Sequence, residues 1–107
     1  LNEINKGRMT LNEYVKATSE NPARLFNLYP RKGSIQVGSD ADITIVDMDK
    51  EMEISAKDLH YKNKYTVSEG YKVKGLPVYT IVRGNIVMAN GKIAKEPVGM
   101  FVNPRKR

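Results

Sequence analysis

At 107 residues, 40% of them hydrophobic, the chain has the length for one small domain with a modest core, because short chains bury a smaller share of their surface. It contains no cysteine, which excludes disulfides, thiolate nucleophiles and thiolate metal sites together. Its 18 Lys and Arg against 12 Asp and Glu leave a net charge of +6, yet the only dense basic run is Arg105-Lys-Arg107, so a solvated basic surface is expected rather than a nucleic-acid stripe interleaved with aromatics.

Thr10 opens the first clear element. Its hydroxyl is placed to accept from the Glu13 amide while the Glu13 carboxylate reaches back, a capping box, and Leu11, Tyr14, Val15 and Thr18 recur at helical spacing. The pattern predicts a helix at about 10–19 with one apolar stripe. Asn21-Pro22 reads as a second start, with Asn as N-cap and Pro at the first helical position. This second helix is expected to carry Ala23, Leu25 and Phe26 inward and to stop at Pro30 and Gly33.

From Ile35 the pattern changes to strands. Ile43-Thr-Ile-Val46 is β-branched throughout and bounded by Asp42 and Asp47. Residues 48–75 read as an extended excursion with short strands near 51–54 and 71–74 and a single helical turn at Ser55-Ala-Lys-Asp58. Val78 to Arg83 is the strongest strand; Gly84-Asn85 is then expected to turn the chain into Ile86 to Ala89, and Asn90-Gly91 into a last strand at 92–94. The fold class expected is mainly β with two short N-terminal helices.

Candidate chemistry is sparse. His60 is the only histidine, whereas a catalytic metal site needs several converging ligands. Asp40 and Asp42 flank Ala41 without the other ligands of a calcium loop, so they read as turn residues. Gly33, Gly38, Gly70 and Gly75 form no phosphate-binding spacing. Ser19, Ser34, Ser39, Ser55 and Ser68 lack a nearby histidine base. Tyr61, Tyr65 and Tyr71 are expected to pack on the strands with their hydroxyls in water. No catalytic, cofactor-binding or metal-ligating residue is assigned.

The ordered set Asn21-Pro-Ala-Arg24, Leu28-Tyr-Pro-Arg-Lys-Gly33, Val37-Gly-Ser-Asp-Ala-Asp42, Lys64-Tyr-Thr66 with Glu69-Gly70, and Val82-Arg-Gly84 resembles the carboxy-terminal part of the cyclic amidohydrolases, the group of hydantoinase, dihydropyrimidinase, allantoinase and dihydroorotase. The resemblance implies a parent enzyme whose (β/α)8 barrel carries a binuclear zinc centre that activates water against a cyclic amide. The family's metal ligands lie in that barrel, and none can be placed on this chain. It further implies that residues 1–33 end the barrel's helical shell and that 34–107 supply strands of a composite β-sandwich and a tail. The expected partners are then the missing barrel and amino-terminal strands. Self-association of the isolated chain is expected as well.

Leu1 stands where an initiator Met would be expected, which suggests a chain cut from something longer. No apolar run approaches the ~20 residues of a membrane span and no signal-peptide pattern opens the chain, so a soluble chain is expected, and the absence of cysteine fits a cytoplasmic location. The alternative to the family reading is an independent β-rich interaction or nucleic-acid module.

Overall fold

The computed structural model describes residues 1–94 and 96–104. A helical arm leads into one antiparallel sheet of four strands in the order β1-β2-β3-β4, a meander. The strands are β1 (Ile43–Glu53), β2 (Lys72–Val82), β3 (Asn85–Ala89) and β4 (Lys92–Ile93).

The arm begins with a short helix that sequence patterning does not anticipate, α1 (Asn2–Asn5). α2 (Leu11–Val15) starts at Thr10 with the expected capping box complete: Thr10 Oγ1 accepts from the Glu13 amide at 3.2 Å, and Glu13 accepts from the Thr10 amide at 2.7 Å. The chain then stays helical without a break. A π-helical turn spans Lys16–Glu20, and α3 follows at Asn21–Leu25.

Asn21 is therefore not an N-cap. Its φ and ψ of −62° and −45° are those of a helix interior, where the side chain cannot take the extended-backbone position from which a cap accepts. Pro22 is tolerated because the preceding π turn has already removed the regular bonding pattern it would interrupt. Ala23 is inward as expected, at 5% exposure, but Leu25 and Phe26 are 72% and 63% exposed and are not carried inward.

In the β region, the strands expected at 43–46 and 51–54 are one strand, bent by register shifts at Ile45/Val46 and Asp47/Glu51. The second irregularity is stabilised by the Asp47 carboxylate, which accepts from the amides of Asp49 and Lys50 at 3.0 and 3.1 Å. Pro77, which has no N–H to give a ladder, pairs with Val46 at the first, the position at which a strand tolerates proline. The strands expected near 71–74 and 78–83 likewise merge into β2. Between β1 and β2, Ala56–Asp58 makes a 3-10 turn, close to the expected helical turn.

Both hairpins are tight. Asn90-Gly91 turns as expected, with φ of 48° and 81°. The first hairpin is shifted by one residue: Val82 pairs with Asn85, so Arg83 and Gly84 form the turn, at φ 51° and 81°. This order puts glycine at the second turn position, the favoured type I′ arrangement. Arg83 is held in its left-handed conformation by partners from the loop before β1: its amide donates to Asp42 Oδ1 at 2.8 Å, and the Gly84 amide donates to the Ala41 carbonyl at 3.0 Å.

α1 is tied to β2 by side chains that imitate a strand. Asn2 accepts from the Lys74 amide at 2.7 Å and donates to the Lys72 carbonyl at 3.3 Å, while Asn5 donates to the Lys74 carbonyl at 2.9 Å. Leu1 lies over Gly75, where a β-carbon would come within 2.8 Å of the Leu1 Cβ.

The interior is small. Among the described residues Ala23 is the one buried apolar side chain, while Ile35 and Val37 are 87% and fully exposed. The radius of gyration is 15.6 Å, against about 13 Å for a compact domain of this length.

Candidate functional site

A cluster of paired charges beside a cleft lies where the helical arm meets the loop into β1. The Lys32 amide donates to the Leu28 carbonyl at 3.0 Å, and the Asp40 amide donates to the Arg31 carbonyl at 2.9 Å, closing the loop on itself. Lys32 Nζ thereby falls between two carboxylates: it bonds Asp40 at 2.9 Å and is in close contact with Asp42, while Arg31 Nε bonds Asp40 at 3.0 Å. Asp42 also receives the Arg83 amide, so one carboxylate joins the loop to the β2–β3 turn.

These pairings set the protonation states. Hydrogen bonding from Lys32 holds the Asp40 carboxyl below the usual aspartate range, with Arg31 adding to it and partial burial opposing. Burial works against ionisation of Asp42, but the bonds from Lys32 and the Arg83 amide outweigh it and its carboxyl is also lowered. Burial likewise pushes Lys32 down, but its bonds to Asp42 and Asp40 outweigh that effect and its ammonium is raised. A lysine so held is a fixed cation and a poor general base.

Beside this cluster a cleft of about 630 Å³ opens between α2 and β1. The expected helical stripe forms one wall, with Leu11, Tyr14, Val15 and Thr18; Ile43, Val46 and Met48 of β1 form the other, and Lys32, Asp40 and Asp42 stand at its rim. The volume is within the range of ligand pockets, and the charged groups lining it, Lys32, Asp40 and Asp42, are paired with one another. The hydroxyls of Ser34 and Ser39 both donate to the Pro30 carbonyl, at 2.9 and 2.6 Å, and lie 3.0 Å from each other.

The turn reading of Asp40 and Asp42 is replaced by that of an ionic clasp, because their carboxylates accept from Lys32, Arg31 and the Arg83 amide and not from neighbouring amides. Its signal in the sequence is Lys32, ten residues ahead of the second aspartate. Ser55 is bonded to Glu69 at 3.0 Å, and Glu69 also receives the Ala56 amide at 2.7 Å. Tyr61, Tyr65 and Tyr71 do not pack on the strands. They are 44%, 71% and 65% exposed, because the loop carrying Tyr61 and Tyr65 runs outside the sheet; the Tyr61 hydroxyl donates to the Tyr65 carbonyl at 2.6 Å. His60 is exposed. No helix of the described residues is long and apolar enough to cross a membrane.

The described residues form a β-meander with a docked helical arm, joined by the paired clasp. The profile of the amidohydrolase family matches residues 1–87, and the chain belongs to that family. It is 43% identical to an L-hydantoinase of Paenarthrobacter aurescens over 97% of its own length and 23% of the relative's. It is 45% identical to a dihydropyrimidinase of Dictyostelium discoideum over 87% of its length and 18% of that protein. A solved D-hydantoinase structure superposes with a TM-score of 0.93 at 39% identity, covering 97% of this chain and 23% of that one. The chain thus spans less than a quarter of the length of these relatives.

A binuclear metal centre does not fit the residues described. Among them no group of three or more His, Asp or Glu side chains converges as a metal site, and Asp40 and Asp42 already share their charge with Lys32 and Arg31.

Proposed function

We propose that these residues are the carboxy-terminal accessory segment of a metal-dependent hydrolase of cyclic amides, and that they act as scaffold. In this reading residues 1–33 close the helical shell of a zinc-bearing (β/α)8 barrel, 34–107 supply strands of a composite sandwich and a tail, and the enzyme is cytoplasmic. The observation that carries the reading is the near-complete superposition of the chain on part of a D-hydantoinase, together with an interior in which Ala23 is the one buried apolar side chain among the described residues. An independent domain of this size would cover Ile35 and Val37; a segment that completes a larger fold leaves them for its partner.

Two assays test this. The chain alone, with added zinc, should not hydrolyse hydantoin, dihydrouracil, allantoin or dihydroorotate. A D-hydantoinase whose matching segment is exchanged for these residues should keep hydantoin hydrolysis. Turnover by the chain alone, or a folded chimera without activity, would refute the scaffold role.

A further inference from the structure

Asn90 and Gly91 occupy the β3–β4 turn, with φ of 48° and 81°, and both are exposed. Three features of this turn favour attack of a backbone nitrogen on the neighbouring side-chain amide. Gly91 has no side chain to hinder the approach, and a β-carbon built there would meet nothing within 4 Å. Among the described residues the Gly91 N–H has as its partner the Met88 sulfur, at 3.3 Å, and a thioether is a weak acceptor. The turn closes a short edge hairpin, joined through the pairs Met88↔Ile93 and Ala89↔Lys92, and such an edge opens at low free-energy cost.

We propose that Asn90 is a site of spontaneous deamidation through a succinimide, a chemical modification that ages this hairpin. The Gly91 nitrogen gives its proton to solvent base and forms a bond to Asn90 Cγ; the side-chain nitrogen leaves as ammonia. Water then opens the ring. Attack at Cγ breaks the new bond and yields an aspartate at this position with a normal backbone, whereas attack at the Asn90 carbonyl carbon breaks the original peptide bond and leaves Gly91 joined through the side chain, an isoaspartate. The chain gains one negative charge in either product. The isoaspartate also lengthens the backbone by a methylene within a two-residue turn, which cannot then keep the register of β4.

Four of the other eight asparagines are poorer sites for reasons visible in the chain. Asn21 and Asn103 precede proline, which has no N–H to lose. Asn27 and Asn85 precede Leu28 and Ile86, whose side chains crowd the attacking nitrogen, and the Asn85 amide is further held by the Val82 and Arg83 carbonyls at 3.5 and 3.2 Å.

The test is to incubate the folded chain in mildly alkaline buffer at physiological temperature and follow each asparagine by peptide mass and by fragmentation that distinguishes isoaspartate from aspartate. Asn90 should convert first, with isoaspartate the larger product; Asn90→Gln should abolish that conversion, and Gly91→Ala should slow it several-fold. A parallel sample in denaturant controls for the local sequence. Asn90 remaining intact in the folded chain while converting in denaturant would overturn the proposal, as would conversion of Asn27, Asn63 or Asn85 at the same rate.

Discussion

Gly33 abuts Ala23 so closely that a β-carbon on Gly33 would come within 2.6 Å of the Ala23 Cβ and 2.8 Å of the Ser19 carbonyl oxygen. This contact fixes the loop that carries Lys32 against the π turn of the helical arm. It lies on the one buried apolar side chain of the described residues, which makes it the point where arm and sheet loop are locked together.

Gly33→Ala should therefore be among the most damaging small substitutions in the chain. Its φ of 78° costs a non-glycine residue about 1–2 kcal/mol, and the contact with backbone adds an overpacking cost of about 1–3 kcal/mol. Gly84→Ala is the control, because Gly84 has a φ of 81° but nothing within 4 Å of an added Cβ. Denaturant midpoints at unchanged slope should fall further for Gly33→Ala than for Gly84→Ala. Equal midpoints would remove the close approach as a source of stability.

The two helix-start signals in the sequence make opposite predictions. Thr10→Ala breaks a capping box present on both sides and should cost about 1 kcal/mol. Asn21→Ala removes no cap, since Asn21 has helical φ and ψ, and should change stability by less than about 0.5 kcal/mol. Loss of helical circular dichroism on heating, compared across the two variants, checks this; a large loss with Asn21→Ala would restore it as a cap.

Elements specified locally were legible from the residues. Thr10 with Glu13 marks a helix start through bonds within one turn, and Asn90-Gly91 marks a hairpin through backbone sterics alone. Other elements depend on the preceding segment or on distant groups. Asn21-Pro22 has the grammar of a helix start, but the chain entering it is already helical and runs on through a π turn. Arg83 enters a left-handed conformation because Asp42, far away in sequence, binds its amide at 2.8 Å. α1 is too short for periodicity to detect, and its place depends on Asn2 and Asn5 reaching the backbone of β2. The Lys32 clasp is not visible in the local sequence pattern: the aspartates read as turn residues accepting from nearby amides, whereas they accept from Lys32, Arg31 and the distant Arg83 amide, all brought in by the fold.

The clasp predicts an acid-sensitive stability. Asp40 and Asp42 are both lowered in the folded state, so each contributes stability that is complete above the ordinary aspartate value and lost as pH falls through the lowered folded values. Lys32 is raised, so its contribution is complete below the ordinary lysine value and lost only as pH rises through the raised one. Stability should thus be flat through neutrality and decline on strong acidification. Asp42→Asn should flatten the acid limb more than Asp40→Asn, because Asp42 also holds the Arg83 amide. Urea midpoints measured against pH decide it; an acid limb unchanged in Asp42→Asn would exclude the clasp as its cause.

The open architecture carries the last prediction. β1 presents an edge of the sheet over 11 residues, and beside it the cleft walls of Leu11, Val15, Ile43 and Val46 are left uncovered. Unpaired edges recruit strands, and each aliphatic side chain moved out of water contributes roughly 1.5–3 kcal/mol, enough for a few such residues to favour association even against its entropic cost. The isolated chain should therefore self-associate, and a symmetric dimer that sets β1 against β1 is the simplest closed arrangement. Charge gives the association a testable direction: with a net charge of +6, repulsion between copies opposes it at low ionic strength, and added salt should strengthen it. Substituting Val46→Lys, which places a cation on the cleft wall of β1, should weaken it more than Ile93→Lys at the far edge of the sheet. Sedimentation equilibrium over a broad concentration range, with and without salt, reads all three effects. A monodisperse, folded monomer at high concentration would show that the uncovered face is stable in water, and the idea that it awaits a covering partner would have to be abandoned.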